Sequence, residues 1–186
     1  MIQPIDPARD AEAIARIYRH FVTDTDISFE SADEPPSASQ MRQRLEDFLG
    51  EFPGFLWREP DGTVAGYCYA HPWKERAAYN PTLETTVYIN PVYARRGIGR
   101  KLMEALIDEC RRRGTVSLIA CITAGNEASC AMHSALGFRQ VSYFSAVGRK
   151  FGRWLDVVDY QLLLRPVSSG LDTPEIIFDT NHSTHR

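Results

Sequence analysis

The segment VYINPVYARRGIGRKLMEAL constrains the fold more than any other part of the chain. Its beginning is apolar, as in a strand, and its end has apolar residues at helical spacing. Gly97 and Gly99 lie between the two, among Arg95, Arg96, Arg100 and Lys101. A strand, a glycine turn and a helix favour phosphate binding, because successive N–H groups and the positive end of the helix dipole face one anion. The basic side chains suit a polyanionic ligand.

Two well-known nucleotide-binding patterns do not fit this segment. The dinucleotide fingerprint GxGxxG requires a small residue where this chain has Leu102, and the P-loop pattern, which ends in GK[ST], is absent. A simple helix start with a solvated basic face stays open as an alternative at this point.

Charge and composition limit the classes of partner. The chain has 186 residues, of which 44% are hydrophobic, as expected for one ordinary globular domain. It has 21 Lys and Arg against 24 Asp and Glu, a net charge of -3, so no overall basic field favours nucleic acid or an anionic membrane. We therefore expect a small-molecule partner, with no nucleic acid and no membrane.

The N-terminus and the cysteines indicate a cytoplasmic protein. Asp6 and Asp10 stand where a signal peptide needs an apolar core, and no stretch approaches the roughly 18 apolar residues of a membrane span. The four cysteines form no CxxC pair and have no nearby histidine at metal-ligand spacing. We expect no bound metal, and reduced, mostly buried thiols.

Periodicity and turn residues predict four helices and six strands. Asp6 and Pro7 suit a helix start, the dipeptide Asp61-Gly62 suits a hairpin turn, and Gly114 and Gly137 suit helix ends. The predicted helices are 8–21, 39–49, 98–113 and 126–136, and the predicted strands are 54–59, 63–71, 83–89, 116–122, 138–147 and 155–164. This order mixes hairpins with a strand-helix-strand unit, which predicts an α+β fold with a mixed sheet. We expect one domain over 1–165 and a polar, flexible tail over 166–186.

Two motifs resemble those of the GCN5-related N-acetyltransferase (GNAT) superfamily. ARRGIGRKLMEAL resembles the loop that binds the acyl-CoA pyrophosphate, usually written [QR]xxGx[GA], although Ala94 departs from the first position. NEASCAMHSALGF, which begins at Asn126, is similar to the motif in which an asparagine opens a helix that ends in LGF.

Four further segments resemble one branch of that superfamily, the phosphinothricin and methionine sulfoximine N-acetyltransferases. They are HPWKERAAY, ETTVYI, MHSALGF and RKFGRWLDV, in the order and spacing of the branch, and the similarity runs from about residue 3 to Leu164. Pro81 is a departure, since the branch commonly has an aromatic residue there.

The resemblance implies a sheet in which strands 83–89 and 116–122 splay apart and hold the pantetheine arm of acetyl-CoA. No metal is implied. The predicted acetyl-CoA-binding residues are Val87, Tyr88 and Ile89 through their backbone, Arg95, Arg96, Gly97, Ile98, Gly99 and Arg100 at the pyrophosphate, and Asn126 at the arm.

The implied reaction is acetyl transfer from a thioester to an amine, which requires a base, an oxyanion donor and a leaving thiolate. The resemblance assigns the base to Glu84 and a proton-transfer role to His133, and we take the N–H of Tyr88 as the oxyanion donor. Two structural alternatives stay open: an edge glutamate paired with a cation, and a helix histidine with a local hydrogen bond.

The acceptors of the branch carry a carboxylate, so fixed cations are expected to bind them. Lys74, Arg76 and Lys150 stand at matching positions, and Phe29 with Glu30 is predicted to form part of a lid. The resemblance also implies a homodimer. The leading prediction is an amino-acid N-acetyltransferase acting by direct attack in a ternary complex. The alternatives are a non-catalytic acyl-CoA-binding module and an acetyltransferase for another amine, such as a peptide N-terminus.

Overall fold

The computed structural model describes residues 1–166, which form one mixed sheet with helices on both faces. The strands are β1 (Ile2–Pro4), β2 (Gly54–Arg58), β3 (Val64–Pro72), β4 (Thr82–Ile89), β5 (Ser117–Thr123), β6 (Arg139–Gln140), β7 (Phe144–Lys150) and β8 (Arg153–Leu163). The helices are α1 (Pro7–Thr23), α2 (Ala38–Leu49), α3 (Ile98–Arg113) and α4 (Glu127–Ala135). The predicted tail lies outside the described residues except at its first position.

The sheet separates in the middle. Its strand order is β1-β2-β3-β4-β5-β8-β6, with β7 also paired to β8. Among the described strands only β4 and β5 run parallel, and their pairing ends at Glu84 opposite Ile119. β4 continues to Ile89 paired with β3 alone, so a gap opens between β4 and β5. The predicted α+β fold with a splayed mixed sheet is confirmed.

Each face of the sheet has its own core. α3 packs on one face, where Leu102 and Leu106 meet Leu83 and Leu118. α1 and α2 pack on the other face, where Ile14 and Leu45 belong to a second apolar cluster. Because side chains alternate along a strand, Glu84, Thr86 and Tyr88 lie on the α1 and α2 face.

Local chemistry fixes the starts of α1 and α3. Asp6 accepts hydrogen bonds from the N–H groups of Ala8 and Arg9, which caps α1 as the sequence predicts. Gly97 caps α3 with φ 75°, in the left-handed region that glycine adopts without strain. The loop between strand and helix is therefore built around this glycine.

Two predictions about local structure are wrong or incomplete, and one strand is not predicted at all. The single strand predicted over 138–147 is two strands, because the chain breaks pairing after Gln140 and resumes at Phe144 with an irregular register up to Gly148. The three-residue strand β1 is too short to show a periodicity, and its partner β2 is distant in sequence. Of the four thiols, Cys68 and Cys110 are buried, Cys130 is half-buried and Cys121 is exposed.

Two features are absent from the described residues. None of their helices combines the length and apolar character needed to cross a membrane. Residues 1–166 contain no group of three or more potential metal-ligating side chains.

Candidate active site

A cavity of about 470 Å³ occupies the gap beside β4. Its walls come from the end of β4, the glycine loop, the start of α3 and one side of α4. The lining residues include Val87, Tyr88, Ile89, Ala94, Arg95, Gly97, Ile98, Gly99, Arg100, Asn126, Ser129 and Met132. The structure thus brings together all the predicted cofactor-binding residues except Arg96.

Gly99 allows a close approach between α3, β4 and α4. A Cβ atom at this position would lie 3.3 Å from Sδ of Met132 and 3.4 Å from Cγ1 of Ile89. The contact with Met132 is tighter than ordinary van der Waals packing and the contact with Ile89 leaves no spare room, so a longer side chain here would push into the cavity wall. The first turn of α3, whose backbone N–H groups have no partner within the helix, lines the same cavity.

The arginines of the loop are divided between the cavity and the outside. Arg95 and Arg100 line the cavity, and Arg100 also forms a 2.8 Å ion pair with Glu104 one turn later. The guanidinium of Arg96 lies over the ring of Tyr93, 5.1 Å from its centre. Arg95 has φ 61°, so the loop holds one non-glycine residue in the left-handed region.

Asn126 caps α4 at the far wall of the cavity. Its Oδ1 atom accepts a hydrogen bond of 3.2 Å from the N–H of Ser129. Asn126 and Ser129 also line a second, smaller cleft of about 120 Å³ that reaches Glu84. The shared walls make the two spaces neighbours through the gap in the sheet.

Glu84 lies in this smaller cleft with a perturbed carboxyl group. Burial, together with the like charge of Asp159, raises the pKa of Glu84 to about 7. No Lys or Arg of residues 1–166 forms an ion pair with it, so the alternative of a paired edge glutamate is not what the described residues show. A carboxyl group that titrates near neutrality is suited to remove a proton from an amine.

His133 lines the same cleft and is 2% exposed. Its Nδ1 atom lies 2.9 Å from the carbonyl oxygen of Ser129, so Nδ1 carries the proton and donates it there. Burial lowers the pKa of His133, which favours the neutral imidazole. Its Nε2 atom is buried and has no hydrogen-bond partner in the described part of the chain. His133 therefore makes the local hydrogen bond of the structural alternative and also leaves Nε2 as an acceptor atom.

The backbone pairing changes the assignment of the oxyanion donor. The N–H of Asn90 donates to the carbonyl of Ala65 on β3, at 2.9 Å. Since successive N–H groups of a strand point in opposite directions, the N–H of Tyr88 also points to β3, and that of Val87 points into the gap. Tyr88 instead contributes its ring, which packs edge-on against Tyr18 with 5.0 Å between the ring centres.

Two predicted substrate-binding cations lie apart from this cleft. Lys74 is exposed, and its Nζ atom lies 4.1 Å from the ring centre of Trp73. Arg76 is exposed and precedes a short turn of 3-10 helix, Ala77–Tyr79, which leads into β4. Neither side chain lines the Glu84 cleft. Both lie within the connection between β3 and β4, so they are linked to Glu84 by a few residues of chain.

Of the three remaining predicted residues, Phe29 and Glu30 lie in the loop between α1 and α2, and Lys150 of β7 binds this loop. Nζ of Lys150 donates a hydrogen bond to the carbonyl of Ser28, and Lys150 is 8% exposed. Glu30 forms a 2.7 Å ion pair with Arg44 and accepts a 3.0 Å hydrogen bond from the hydroxyl of Tyr18. Phe29 is exposed, and its ring packs against Gly148, in the space that a side chain there would occupy. The loop is thereby fastened beside the gap.

Sequence reasoning missed several residues around the cleft. Ile27 lines both cavities, and Thr123 donates from Oγ1 to the carbonyl oxygens of Asp26 and Ile27, each at 3.2 Å. Cys121 lines the cleft beside Glu84. These residues have no local motif, and only the alternation of β5 could have placed Cys121 and Thr123 on one face.

Comparison with known proteins decides the family. The model of the acetyltransferase (GNAT) family matches residues 14–138. The chain belongs to the GNAT family. It is 41% identical to a phosphinothricin N-acetyltransferase from Alcaligenes faecalis over 162 residues, which cover 87% of this chain and 80% of the relative. It is 36% identical to an L-methionine sulfoximine/L-methionine sulfone acetyltransferase from Salmonella typhimurium, over 83% of this chain and 90% of the relative.

A solved GNAT structure supports the same relationship. The phosphinothricin acetyltransferase from Sinorhizobium meliloti, solved in complex with acetyl-CoA, matches with a TM-score of 0.86 and 31% identity, covering 97% of this chain and 96% of that one. The predicted family and branch are confirmed, and the chain is an acetyltransferase of the GNAT type.

Proposed function

We propose that this protein transfers the acetyl group of acetyl-CoA to the amine of a small amino acid or amino-acid analogue. The observation that carries the proposal is a carboxyl group with a pKa of about 7, Glu84, at the point where β4 and β5 separate. The cavity beside it has a glycine loop and basic side chains that fit a pyrophosphate. The relatives named above are acetyltransferases for amino-acid analogues, which supports this acceptor class.

The glycine loop and Arg95 and Arg100 hold the pyrophosphate of acetyl-CoA, and Asn126 contacts its pantetheine arm. Glu84 takes a proton from the acceptor's ammonium group, and the resulting amine attacks the thioester carbonyl directly. The N–H of Val87 points into the gap beyond the last β4–β5 pair, so it donates to the oxyanion. As the C–S bond breaks, the nitrogen loses its surplus proton and the leaving thiolate takes one up, so the products are the amide and the free thiol.

His133 acts in this scheme as a neutral acceptor rather than as an acid. Its Nδ1 proton is held by Ser129, and its free Nε2 atom accepts a hydrogen bond or a proton during the transfer. Cys121 does not form an acetyl-enzyme, because partial burial and then the charges of Glu84 and Asp159 raise the pKa of its thiol to about 12. Direct attack in a ternary complex is therefore the favoured route.

A thiol-release assay tests the proposed function. Purified protein is given acetyl-CoA with phosphinothricin, methionine sulfoximine, methionine sulfone, a set of free amino acids, a polyamine and a short peptide. We expect fast release with one acceptor that carries both an amine and a carboxylate. Release with none of them, despite measurable acetyl-CoA binding, would support a non-catalytic acyl-CoA-binding module. Release only with the peptide would support an acetyltransferase for peptide N-termini.

Pro81 bears on the acceptor. It immediately precedes β4 and its carbonyl accepts hydrogen bonds from the N–H groups of Val116 and Ser117 at the start of β5. An aromatic side chain, common at this position in the branch, is missing here. We propose that the acceptor site differs from that of a phosphinothricin enzyme at this point, and the assay identifies the preferred acceptor.

We also propose a homodimer. The β7–β8 hairpin exposes large apolar side chains along an edge of the sheet: Tyr143, Phe144, Val147, Phe151 and Trp154. Clustered apolar groups of this kind are typical of protein interfaces. Sedimentation at micromolar concentration should give twice the mass of one chain, and Trp154→Glu should reduce that mass. The cytoplasmic location, which the free cysteines suit, stays a prediction.

A further inference from the structure

A second carboxylate lies on the same face of the sheet as Glu84. On β5, Ile119 is opposite Glu84 and Cys121 is opposite Asp159 of β8. Opposed residues of paired strands point to one face, and so do residues two apart on a strand. Glu84 and Asp159 therefore project from the same face, on the two sides of β5.

Cys121 lies between these two carboxylates. Cys121 is the direct cross-strand neighbour of Asp159, and burial followed by the charges of Glu84 and Asp159 raises the pKa of its thiol. The thiol remains protonated and neutral, so it adds no third negative charge. Cys121 also lines the Glu84 cleft, which places the Asp159 side of β5 next to that cleft.

The surrounding groups leave this negative charge uncompensated. From β3, His71 lies opposite Glu84, and burial lowers the pKa of His71, which favours its neutral form. From α2, Arg44 forms an ion pair with Glu30. From α4, His133 is neutral for the same reason as His71. From the segment before β7, Ser142 accepts a hydrogen bond from the N–H of Asp159 through its hydroxyl group. Within residues 1–166 no lysine or arginine forms an ion pair with either carboxylate.

Such a pair is suited to an ammonium group. The α-amino group of a peptide has a reference pKa of about 7.7 to 8.0, and the carboxylate of a free amino acid raises this value, so the acceptor arrives mainly as a cation. Two carboxylates attract this cation. The like charge of Asp159 also increases the proton affinity of ionised Glu84. Loss of one proton from the ammonium nitrogen to Glu84 leaves the neutral amine that attacks.

We infer that Asp159 is a positioning residue of the acceptor site, which acts with Glu84 to draw the acceptor's ammonium group into the cleft and to make Glu84 a stronger base. This role rests on the proposed function, but its electrostatic part does not depend on turnover. Asp159 is assigned no contact with the reacting atoms.

The test uses the full-length Asp159→Asn variant, with Asp108→Asn as the matched control. Asp108 also loses one carboxylate charge, but it lies on the exposed side of α3, paired with Arg111. The ionisation of Glu84 is followed directly, by carbon NMR of protein labelled at the glutamate carboxyl groups, with Glu84→Gln to assign its resonance. We expect the Glu84 midpoint, near pH 7 in the wild type, to fall by about 0.5 to 1 pH unit in Asp159→Asn only.

Kinetics provide the second measurement. In Asp159→Asn the acidic limb of kcat/KM should move to lower pH by the same amount, and KM for the preferred ammonium acceptor should rise several-fold. KM for acetyl-CoA should stay unchanged, and Asp159→Glu should restore the wild-type profile. An unchanged Glu84 midpoint overturns the inference whether or not the enzyme is active. An inactive wild type with a shifted midpoint would contradict the proposed function and leave the coupling of the two carboxylates intact.

Discussion

Replacing Glu84 by glutamine should make the protein more stable at alkaline pH and a much poorer enzyme. Burial and Asp159 raise the carboxyl pKa from 4.5 to about 7, so the folded state binds the Glu84 proton more tightly than the unfolded chain. That contribution is fully present below the unfolded pKa and is lost as the pH rises through the folded pKa. Above about pH 7 the wild type bears the whole cost of a half-buried carboxylate.

The raised pKa sets the size of the effect. A difference of about 2.5 units between the folded and unfolded pKa corresponds to about 3 kcal/mol at most. Glu84 faces a cleft that is partly open to solvent, which screens the charge, so we expect a gain of about 1 to 2 kcal/mol for Glu84→Gln near pH 8. Near pH 5 the gain should shrink toward zero. Loss of the base should lower kcat by about 10²- to 10⁴-fold.

Urea unfolding near pH 5 and pH 8, with thiol release at saturating substrates, measures both effects. Glu12→Gln is the matched control, because Glu12 lies on the exposed face of α1 and pairs only with Arg16 among the described side chains. The reasoning fails if Glu84→Gln keeps wild-type turnover, or if its change in the free energy of unfolding is the same at both pH values.

Three further substitutions test other parts of the site. Arg76→Ala should raise KM about 10-fold or more for acceptors with a carboxylate and leave amines without one unaffected, and an equal loss for both classes would remove its substrate role. Gly99→Val should raise KM for acetyl-CoA at least about 10-fold, since its side chain would meet Met132, whereas an unchanged KM would show that the loop adapts. Lys150→Met should lower the free energy of unfolding in urea by about 1 to 3 kcal/mol, because the buried hydrogen bond to the Ser28 carbonyl is lost. A free energy of unfolding within about 0.5 kcal/mol of the wild type, as for a typical surface substitution, would argue for a substrate contact instead.

Patterns with local causes were predictable from the sequence. α3 begins and ends as predicted, at Ile98 and Arg113, because a glycine closes each end of a strongly amphipathic helix. The glycine loop and Asn126 meet at one cavity because each opens a helix that follows a strand at the gap. The two motifs therefore identify the cofactor side of the site.

The acceptor side depended on contacts between distant segments. The sequence predicts that Lys150 binds substrate, and it gives no sign of the contact that the structure adds, in which the amine donates to the carbonyl of Ser28, 122 residues earlier in the chain. The N–H of Tyr88 was assigned to the gap, but its direction follows from pairing with β3, which the sequence of β4 alone does not determine. Asp159 lies near Glu84 because β5 pairs with β8, a neighbour that no local pattern specifies.

Mass spectrometry of a single turnover tests the central claim most directly. The protein is mixed with acetyl-CoA, then with the preferred amino-acid acceptor, and quenched at successive times. Direct transfer predicts that the acceptor gains one acetyl group on its nitrogen while the protein mass never changes. An acetylated protein that forms before the acceptor is added, and then passes its acetyl group on, would contradict direct attack assisted by Glu84.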